Sequence, residues 1–252
     1  DLALSGIFSL TKEKPLPGAQ YYSNPMHALK FALTPSVPIY NEDGSYNKSV
    51  KELNYMNLVE ENEINTHRSR IARTFASAEA GYTILKGLRL STVFNVDYIN
   101  TNEFRYFSPE SSDGRSPNGQ GDFYRVENLT YNSNTRLNYA AKFGEHSVDV
   151  LAAYEIHSWD KDYAFAEAKN YATDKKNVLN VASTPVEIGN YISGDAMLSY
   201  VFRANYDYKT RYYLSASFRR DGSSRLHPDN RWENFWAISG SWRFSHEKFL
   251  KS

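Results

Sequence analysis

From Tyr212 to Trp242 the side chains sort into two faces when read two at a time. Tyr212, Leu214, Ala216 and Phe218 fall on one side, and Tyr213, Ser215, Ser217 and Arg219 on the other. After a turn-rich stretch the alternation returns, with Trp236, Ile238, Gly240, Trp242 and Phe244 against Ala237, Ser239, Ser241 and Arg243. A period of two belongs to the β-strand, because successive side chains leave opposite faces of the pleat. Strands with one aromatic-ended apolar face and one polar face suit a sheet with lipid on one side and water on the other. The competing reading is a soluble, tyrosine-rich β-sandwich that binds glycans.

The same alternation recurs along the chain. Leu88, Leu90, Thr92, Phe94, Val96 and Tyr98 alternate with Arg89, Ser91, Val93, Asn95, Asp97 and Ile99. Eight strands are predicted: Leu2–Leu10, Ser69–Leu85, Leu88–Phe107, Phe123–Phe143, His146–Ala168, Tyr191–Tyr208, Arg211–Arg220 and Glu233–Phe244. Their connections alternate strictly in length. Short turns fall at Lys86-Gly87, Gly144-Glu145 and Lys209-Thr210, and long polar segments run over 11–67, 108–122, 169–190 and 222–232. Tight turns at one end and long loops at the other are the arrangement of an outer-membrane barrel. Several strands exceed the roughly 9–11 residues a bilayer requires, so they are expected to project outside as hairpins.

Composition narrows the function. Aromatics make up 15% of the 252 residues, with 20 Tyr, 14 Phe and 4 Trp, as the interfacial girdles of a barrel require. Lys plus Arg balances Asp plus Glu at 29 each, which gives no basic field to recruit nucleic acid. Cysteine is absent, excluding disulfides, thiolate metal sites and cysteine nucleophiles. No run approaches the roughly 20 apolar residues of a membrane-spanning helix. The chain opens at Asp1 directly on a strand-like segment, LALSGIFSL, and is read as a piece of something longer.

The loops carry few chemical motifs. In the first, Asn24-Pro25 before Met26, Ala28, Leu29 and Phe31 predicts a short helix with Asn24 as its cap. Asn41-Glu42-Asp43-Gly44 predicts a turn; as a calcium loop it would put Ile39 first and Val50 twelfth, and so fails. The six histidines lack metal spacing, no G-x-S-x-G or glycine-rich phosphate loop occurs, and no catalytic residue, cofactor or metal is expected. Loop aromatics Tyr21, Tyr22, Tyr40, Tyr46, Tyr106, Phe107 and Tyr171 are read as exposed and are the candidates for contact with substrate or a partner protein. The blander reading of the same rings is loop packing. Asp221-Gly222-Ser223-Ser224-Arg225 is placed in a loop; Arg219, Arg220 and Arg225 could donate to a ligand, but Asp, Ser and Gly there also simply close a turn.

One block is more specific. RRDGSSR (219–225) followed by Asn230-Arg231-Trp232, Phe235, Ser239, Trp242 and SHEKFL (245–250) resembles the barrel signature of the SusC/RagA class of TonB-dependent transporters. Its signature positions are Arg220, Asp221, Gly222, Ser223, Ser224, Arg225, Arg231, Trp232 and Trp242. Asn24-Pro25, Ala28-Leu29, the PIYNEDGSY stretch (38–46) and GYTILKGL (81–88) resemble that class too. Departures are Leu226-His227 where the class often has Phe-Gly, and Glu233 where Gly is usual.

The resemblance implies an all-β, antiparallel up-and-down meander, part of a large transmembrane barrel of about 22 strands with an N-terminal plug. It implies a bacterial outer-membrane location, energy supplied through the TonB complex, and a SusD-like surface lipoprotein as partner. Residues 1–252 are then a barrel segment, with plug and remaining strands outside it, that imports glycans, peptides or other oligomeric nutrients. The alternative is a self-contained β-sheet carbohydrate-binding module or a small eight-stranded outer-membrane barrel.

Overall fold

The computed structural model describes residues 1–13, 36–49 and 57–247. Eight antiparallel strands form one sheet whose spatial order is the chain order. They are β1 (Leu2–Glu13), β2 (Thr66–Leu85), β3 (Leu88–Phe107), β4 (Gln120–Phe143), β5 (His146–Tyr171), β6 (Ala182–Tyr208), β7 (Tyr212–Ser223) and β8 (Trp232–Trp242). Among the described residues one short helix, α1 (Leu58–Ile64), interrupts the long connection from β1 to β2. Among the described residues no helix is long and apolar enough to cross a membrane.

The three predicted short turns close the β2–β3, β4–β5 and β6–β7 hairpins. Gly87 and Gly144 supply positive φ at 86° and 62°. Lys209 and Thr210 both adopt φ near 55° without being glycine (58° and 53°), a turn of type I′ hand that matches strand twist. Asp207 supports it, its carboxylate accepting from the Thr210 amide at 2.7 Å.

Register extends the two-face pattern over the whole sheet. Tyr212 pairs with Trp242, Leu214 with Gly240, Ala216 with Ile238 and Phe218 with Trp236. On the other side Tyr206 meets Leu214 and Phe202 meets Phe218. Toward β1 the same face continues through Phe94–Ser133, Ala78–Phe94 and Leu4–Ala78. On β3 its apolar stretch runs from Leu88 to Tyr98 before Asn100 follows. Ten residue steps cover about 33 Å of strand, or about 25 Å of height at a tilt of about 40°, the thickness of an outer-membrane apolar band.

Among the described residues nothing covers that face: Leu4, Ile238 and Trp236 are 73%, 68% and 76% exposed. β1 and β8 pair with β2 and β7 only and not with each other. The described sheet is therefore an open single layer. It is neither the closed eight-stranded barrel nor the two-layer sandwich that the alternation also allowed. A sandwich would bury its apolar face, whereas here the buried apolar side chains are Leu58, Tyr106, Phe107, Ala153, Ala168 and Tyr171, most of them at the long-loop end.

Two local readings need correction. The predicted loop over 169–190 contracts to 172–181, because β5 and β6 continue past it around an irregularity at Glu167/Ala168. Pro185 is accommodated beside that irregularity, in the part of β6 that pairs with β5 alone. Asp221, Gly222 and Ser223 belong to β7 rather than a loop, held by Ser199–Asp221, Leu198–Gly222 and Met197–Ser223 pairing. The helix predicted at 24–31 lies outside the described residues; the one that is described, α1, starts from a different cap. Asn57 Oδ1 accepts from the Val59 and Glu60 amides at 3.0 and 3.2 Å, and Glu60 and Glu61 complement the first turn.

Around α1 the external loops form a cap with a polar interior. Asn57 Nδ2 donates to Ile39 O and Asn47 O at 2.8 and 3.0 Å. The buried Glu61 carboxylate accepts from the Ser112 amide at 2.8 Å and from Asn65 Nδ2 at 3.2 Å. Asn65 Oδ1 in turn accepts from the Ser108 amide at 2.9 Å. Desolvation raises the Glu61 carboxyl above its ordinary range, against the lowering effect of those donors.

Candidate functional site

On the polar face, a hydrogen-bonded ladder crosses β4 to β7. Glu155, Ser199 and Asp221 are successive cross-strand neighbours. Arg219 joins all three: Nη1 lies 3.1 Å from Glu155, Nε 2.7 Å from Asp221, and Nη2 donates to Ser199 Oγ at 3.0 Å. Asn134 Nδ2 donates to Glu155 at 2.6 Å, and His157 Nδ1 sits 2.6 Å from Asn132 Oδ1. The carboxylates remain partly hydrated, Glu155 at 33% and Asp221 at 24% exposure, as befits the wet side of the wall.

Eight residues farther along β5 the same face changes character. Tyr163 lies 4.9 Å from Tyr191, 5.6 Å from Phe165 and 6.3 Å from Tyr124, centroid to centroid. Lys161 Nζ sits 5.6 Å above the Tyr163 ring and 5.8 Å from that of Tyr191. Arg105 stacks 4.7 Å over Tyr124 and reaches Asp122 at 3.5 Å. At about 3.3 Å per residue this platform stands about 26 Å along the strand from the ladder, on the long-loop side. Tyr191 is 48% exposed, so the platform is accessible. Rings flanked by cations can stack on flat or amphipathic ligand faces and hydrogen-bond at their edges.

The candidate aromatics named from sequence do not form this platform. Tyr21 and Tyr22 lie outside the described residues. Tyr40 and Tyr46 pair across a small bridge with ring centroids 5.3 Å apart, and Tyr46 donates to Glu63 at 2.5 Å, which pushes its phenol up to about 12. Tyr106, Phe107 and Tyr171 are buried, not exposed, at 1%, 5% and 4%. Tyr106 packs edge-on against Tyr171 at 4.8 Å and donates to Asp174 at 2.9 Å, so these rings are the interior of the cap. Phe107 and Tyr171 are the last residues of β3 and β5, with Tyr106 beside Phe107, and the cap folds over these strand ends. The platform residues were missed because they lie inside long strands. A usable signal was present: tyrosines at 124, 163 and 191 fall on the polar rather than the apolar parity.

Sequence comparison converges on one class. TonB-dependent receptor P39 of Formosa agariphila is 30% identical over 236 residues, covering 86% of this chain. TonB-dependent receptor P3 of the same organism is 27% identical over 229 residues and 89% of the chain. TonB-dependent receptor SusC of Bacteroides thetaiotaomicron is 26% identical over 171 residues and 68% of the chain. No protein-family model matches. Among solved structures, the RagAB peptide transporter superposes with a TM-score of 0.69 at 22% identity, over 75% of this chain and 22% of that one. The closed-closed RagAB peptide importer covers 100% of this chain and 29% of its own, with a TM-score of 0.76 at 18% identity. This chain is barrel wall of the SusC/RagA class of TonB-dependent receptors. Its place is the bacterial outer membrane. It spans about a fifth of the length of the curated relatives it matches.

The signature positions of the class have local structural partners here. Gly222 lies beneath the Trp232 ring, where a Cβ would sit 2.8 Å from ring carbons. Arg220 stacks over the same ring at 5.1 Å and Tyr200 lies parallel to it at 6.1 Å, on the apolar face. Ser224 caps the outer end of the β6–β7 pairing, its Oγ accepting from the Ala196 amide at 2.8 Å, while its own amide donates to Ala196 O at 2.9 Å. Ser223 Oγ accepts from the Arg225 amide at 3.3 Å, and Arg225 pairs with Asp195 at 2.9 Å. Arg231 precedes Trp232, its main-chain oxygen accepting from the Ser223 amide at 3.0 Å. At the short-turn end Glu247 accepts from Tyr212 at 2.7 Å and from Trp242 Nε1 at 3.2 Å, and pairs with Arg211 at 3.3 Å. Tyr212 and Trp242 stack with an interplanar angle of 8°, part of an aromatic row at that boundary.

Proposed function

We propose that this chain forms wall and external rim of an importer that draws energy from the TonB complex, works with a SusD-like surface lipoprotein, and takes up glycans or other oligomeric nutrients. The observation that carries the cargo reading is the platform of Tyr124, Tyr163, Phe165 and Tyr191 with Lys161, on the water side of the wall near the long loops. Repeating ligands with flat faces, sugar rings above all, gain from several adjacent aromatic surfaces. RagAB, whose wall this sheet resembles in fold, is a peptide transporter, which supports an import role and a cargo larger than a single ion. In this reading residues 1–252 are one segment of a barrel of about 22 strands, whose plug and other strands lie outside the segment. The unpaired outer edges of β1 and β8 favour this, since exposed edges invite further pairing. The wall itself performs no covalent chemistry.

The test uses an antibody raised to residues 1–252 on the outer-membrane fraction of the source cells. Because the chain covers 21–23% of its relatives, the expected band is roughly four to five times the mass of the chain. Co-purification of a surface lipoprotein with that band is expected as well. A band at the mass of the chain alone refutes the segment reading, and a full-size receptor that purifies without any lipoprotein refutes the partner.

A further inference from the structure

The apolar face ends on β1 and β2 in a basic groove. Lys12 and Arg70 are direct cross-strand partners, and Arg68 stands two residues beyond Arg70 on the same face. Across the sheet Arg70 meets Asn102, Arg68 meets Phe104, and Phe104 meets Phe123. Together these six line a groove of about 440 Å³. Lys12, Arg68 and Arg70 are exposed. Arg68 lies 4.8 Å over the Phe104 ring and donates to Asn177 O at 3.2 Å. None of the three cations has a carboxylate partner among the described residues. Glu103 and Ser69 also line the groove, and the Glu103 carboxylate is engaged with His67 at 2.9 Å and Arg105 at 3.9 Å.

Height decides what this groove meets. From Tyr82 at the short-turn boundary to Arg70 is twelve residue steps, about 40 Å of strand and about 30 Å of height at a tilt of about 40°. That places Lys12 and Arg70 just past the band of about 25 Å, at the headgroup level of the external leaflet. On neighbouring strands the same face and level carry acids instead: Asn100 pairs with Glu127, and Glu127 with Asp162. Arg125, which follows Asn102 in the row of Arg70, is paired with Glu127, so among the described residues the positive charge without a carboxylate partner on this face and level is confined to β1 and β2. Guanidinium groups donate to phosphate oxygens in a bidentate fork, and the Phe104–Phe123 floor offers apolar contact beside them.

We propose that this groove is a lipid site on the barrel wall, which holds the phosphorylated headgroup of a glycolipid of the external leaflet. The inference rests on the membrane placement of the sheet and not on the cargo or the partner.

The test is native mass spectrometry of the full-length receptor, stripped of lipid in detergent and titrated with bisphosphorylated lipid A, with its dephosphorylated counterpart, and with inorganic phosphate. Each interfacial cation contributes about fivefold to binding of an anionic lipid, so the Lys12→Gln, Arg68→Gln, Arg70→Gln triple variant should bind lipid A about 100-fold more weakly. Lys142→Gln, at the short-turn end, should bind normally, and heat-modifiable gel mobility should be unchanged in both. If the triple variant fails to fold, Arg70→Gln alone should show the fivefold loss. Native affinity in the groove variants, equal binding of the dephosphorylated lipid, or inorganic phosphate bound as tightly as lipid A would each overturn the proposal.

Discussion

Replacing Gly222 by alanine probes the contact that links the signature segment to the membrane boundary. The added methyl would lie 2.8 to 2.9 Å from three carbons of the Trp232 ring. Carbon–carbon contact is optimal at about 3.5–4.0 Å, so the ring must retreat by about 1 Å. The methyl cannot turn away, and the ring is also in contact with Arg220 and Tyr200. Moving it loosens a cation–π contact worth about 0.5–1 kcal/mol and a stacking contact worth about 0.5–1.5 kcal/mol. The expected cost is about 1–3 kcal/mol, the usual range for inserting one methyl into a packed site. Hydrogen exchange on the full-length receptor would report it as about 5- to 150-fold faster exchange at the outer end of the β7–β8 pairing, with β3 and β4 unchanged. A double-mutant cycle isolates the cause. In a Trp232→Ala background the same Gly222→Ala change should cost little, because the ring it displaces is gone. An equal cost in both backgrounds, or no cost in the native one, would refute the steric argument.

Other outcomes follow from the same geometry. Thr210 is β-branched with φ at 53°, a conformation that disfavours such residues by about 1–2 kcal/mol; Thr210→Gly should raise stability by about 0.5–1 kcal/mol after the entropy of glycine is counted, read as a higher denaturant midpoint. Burial raises the Glu61 carboxyl, so the folded cap binds its proton more tightly than the unfolded chain. That stabilising contribution is present below the unfolded value of about 4.3 and is lost as pH rises through the higher folded value. Ser112 amide protection, corrected for intrinsic exchange, should fall over that window, and Glu61→Ala should abolish the slope while lowering protection by about 1–3 kcal/mol through the lost acceptor; a flat profile in the native receptor would contradict this. Tyr163→Ala and Tyr191→Ala should each weaken cargo binding by severalfold, about 0.5–1.5 kcal/mol per lost ring, with receptor abundance unchanged, and an unaltered dissociation constant would remove the platform from the cargo path.

Much of the architecture was readable because it repeats locally. The ends of β3 and the three tight turns follow from a period of two broken by Lys86-Gly87, Gly144-Glu145 and Lys209-Thr210, signals that need only neighbouring residues. Polar external segments blur that signal. The extension of β5 and β6 around Pro185 depends on pairing with a partner strand, which no local pattern states. α1 was passed over although Asn57 and Glu60 have the spacing of a helix start, because seven residues are too few to show a helical period.

Sequence alone determined the two faces, since side-chain alternation is built into the covalent geometry of a strand. It also determined which residues form the apolar band and the family signature around Asp221 and Trp232. Which aromatics face one another was decided only by tertiary structure. Tyr124, Tyr163 and Tyr191 are widely separated in the chain and meet because the β4–β5–β6 register brings them onto one patch of the polar face. Tyr106, Phe107 and Tyr171 are buried rather than exposed because the loops close over the strand ends. Burial and proximity are long-range quantities, set by pairing between strands, and a single strand's pattern carries no term for them.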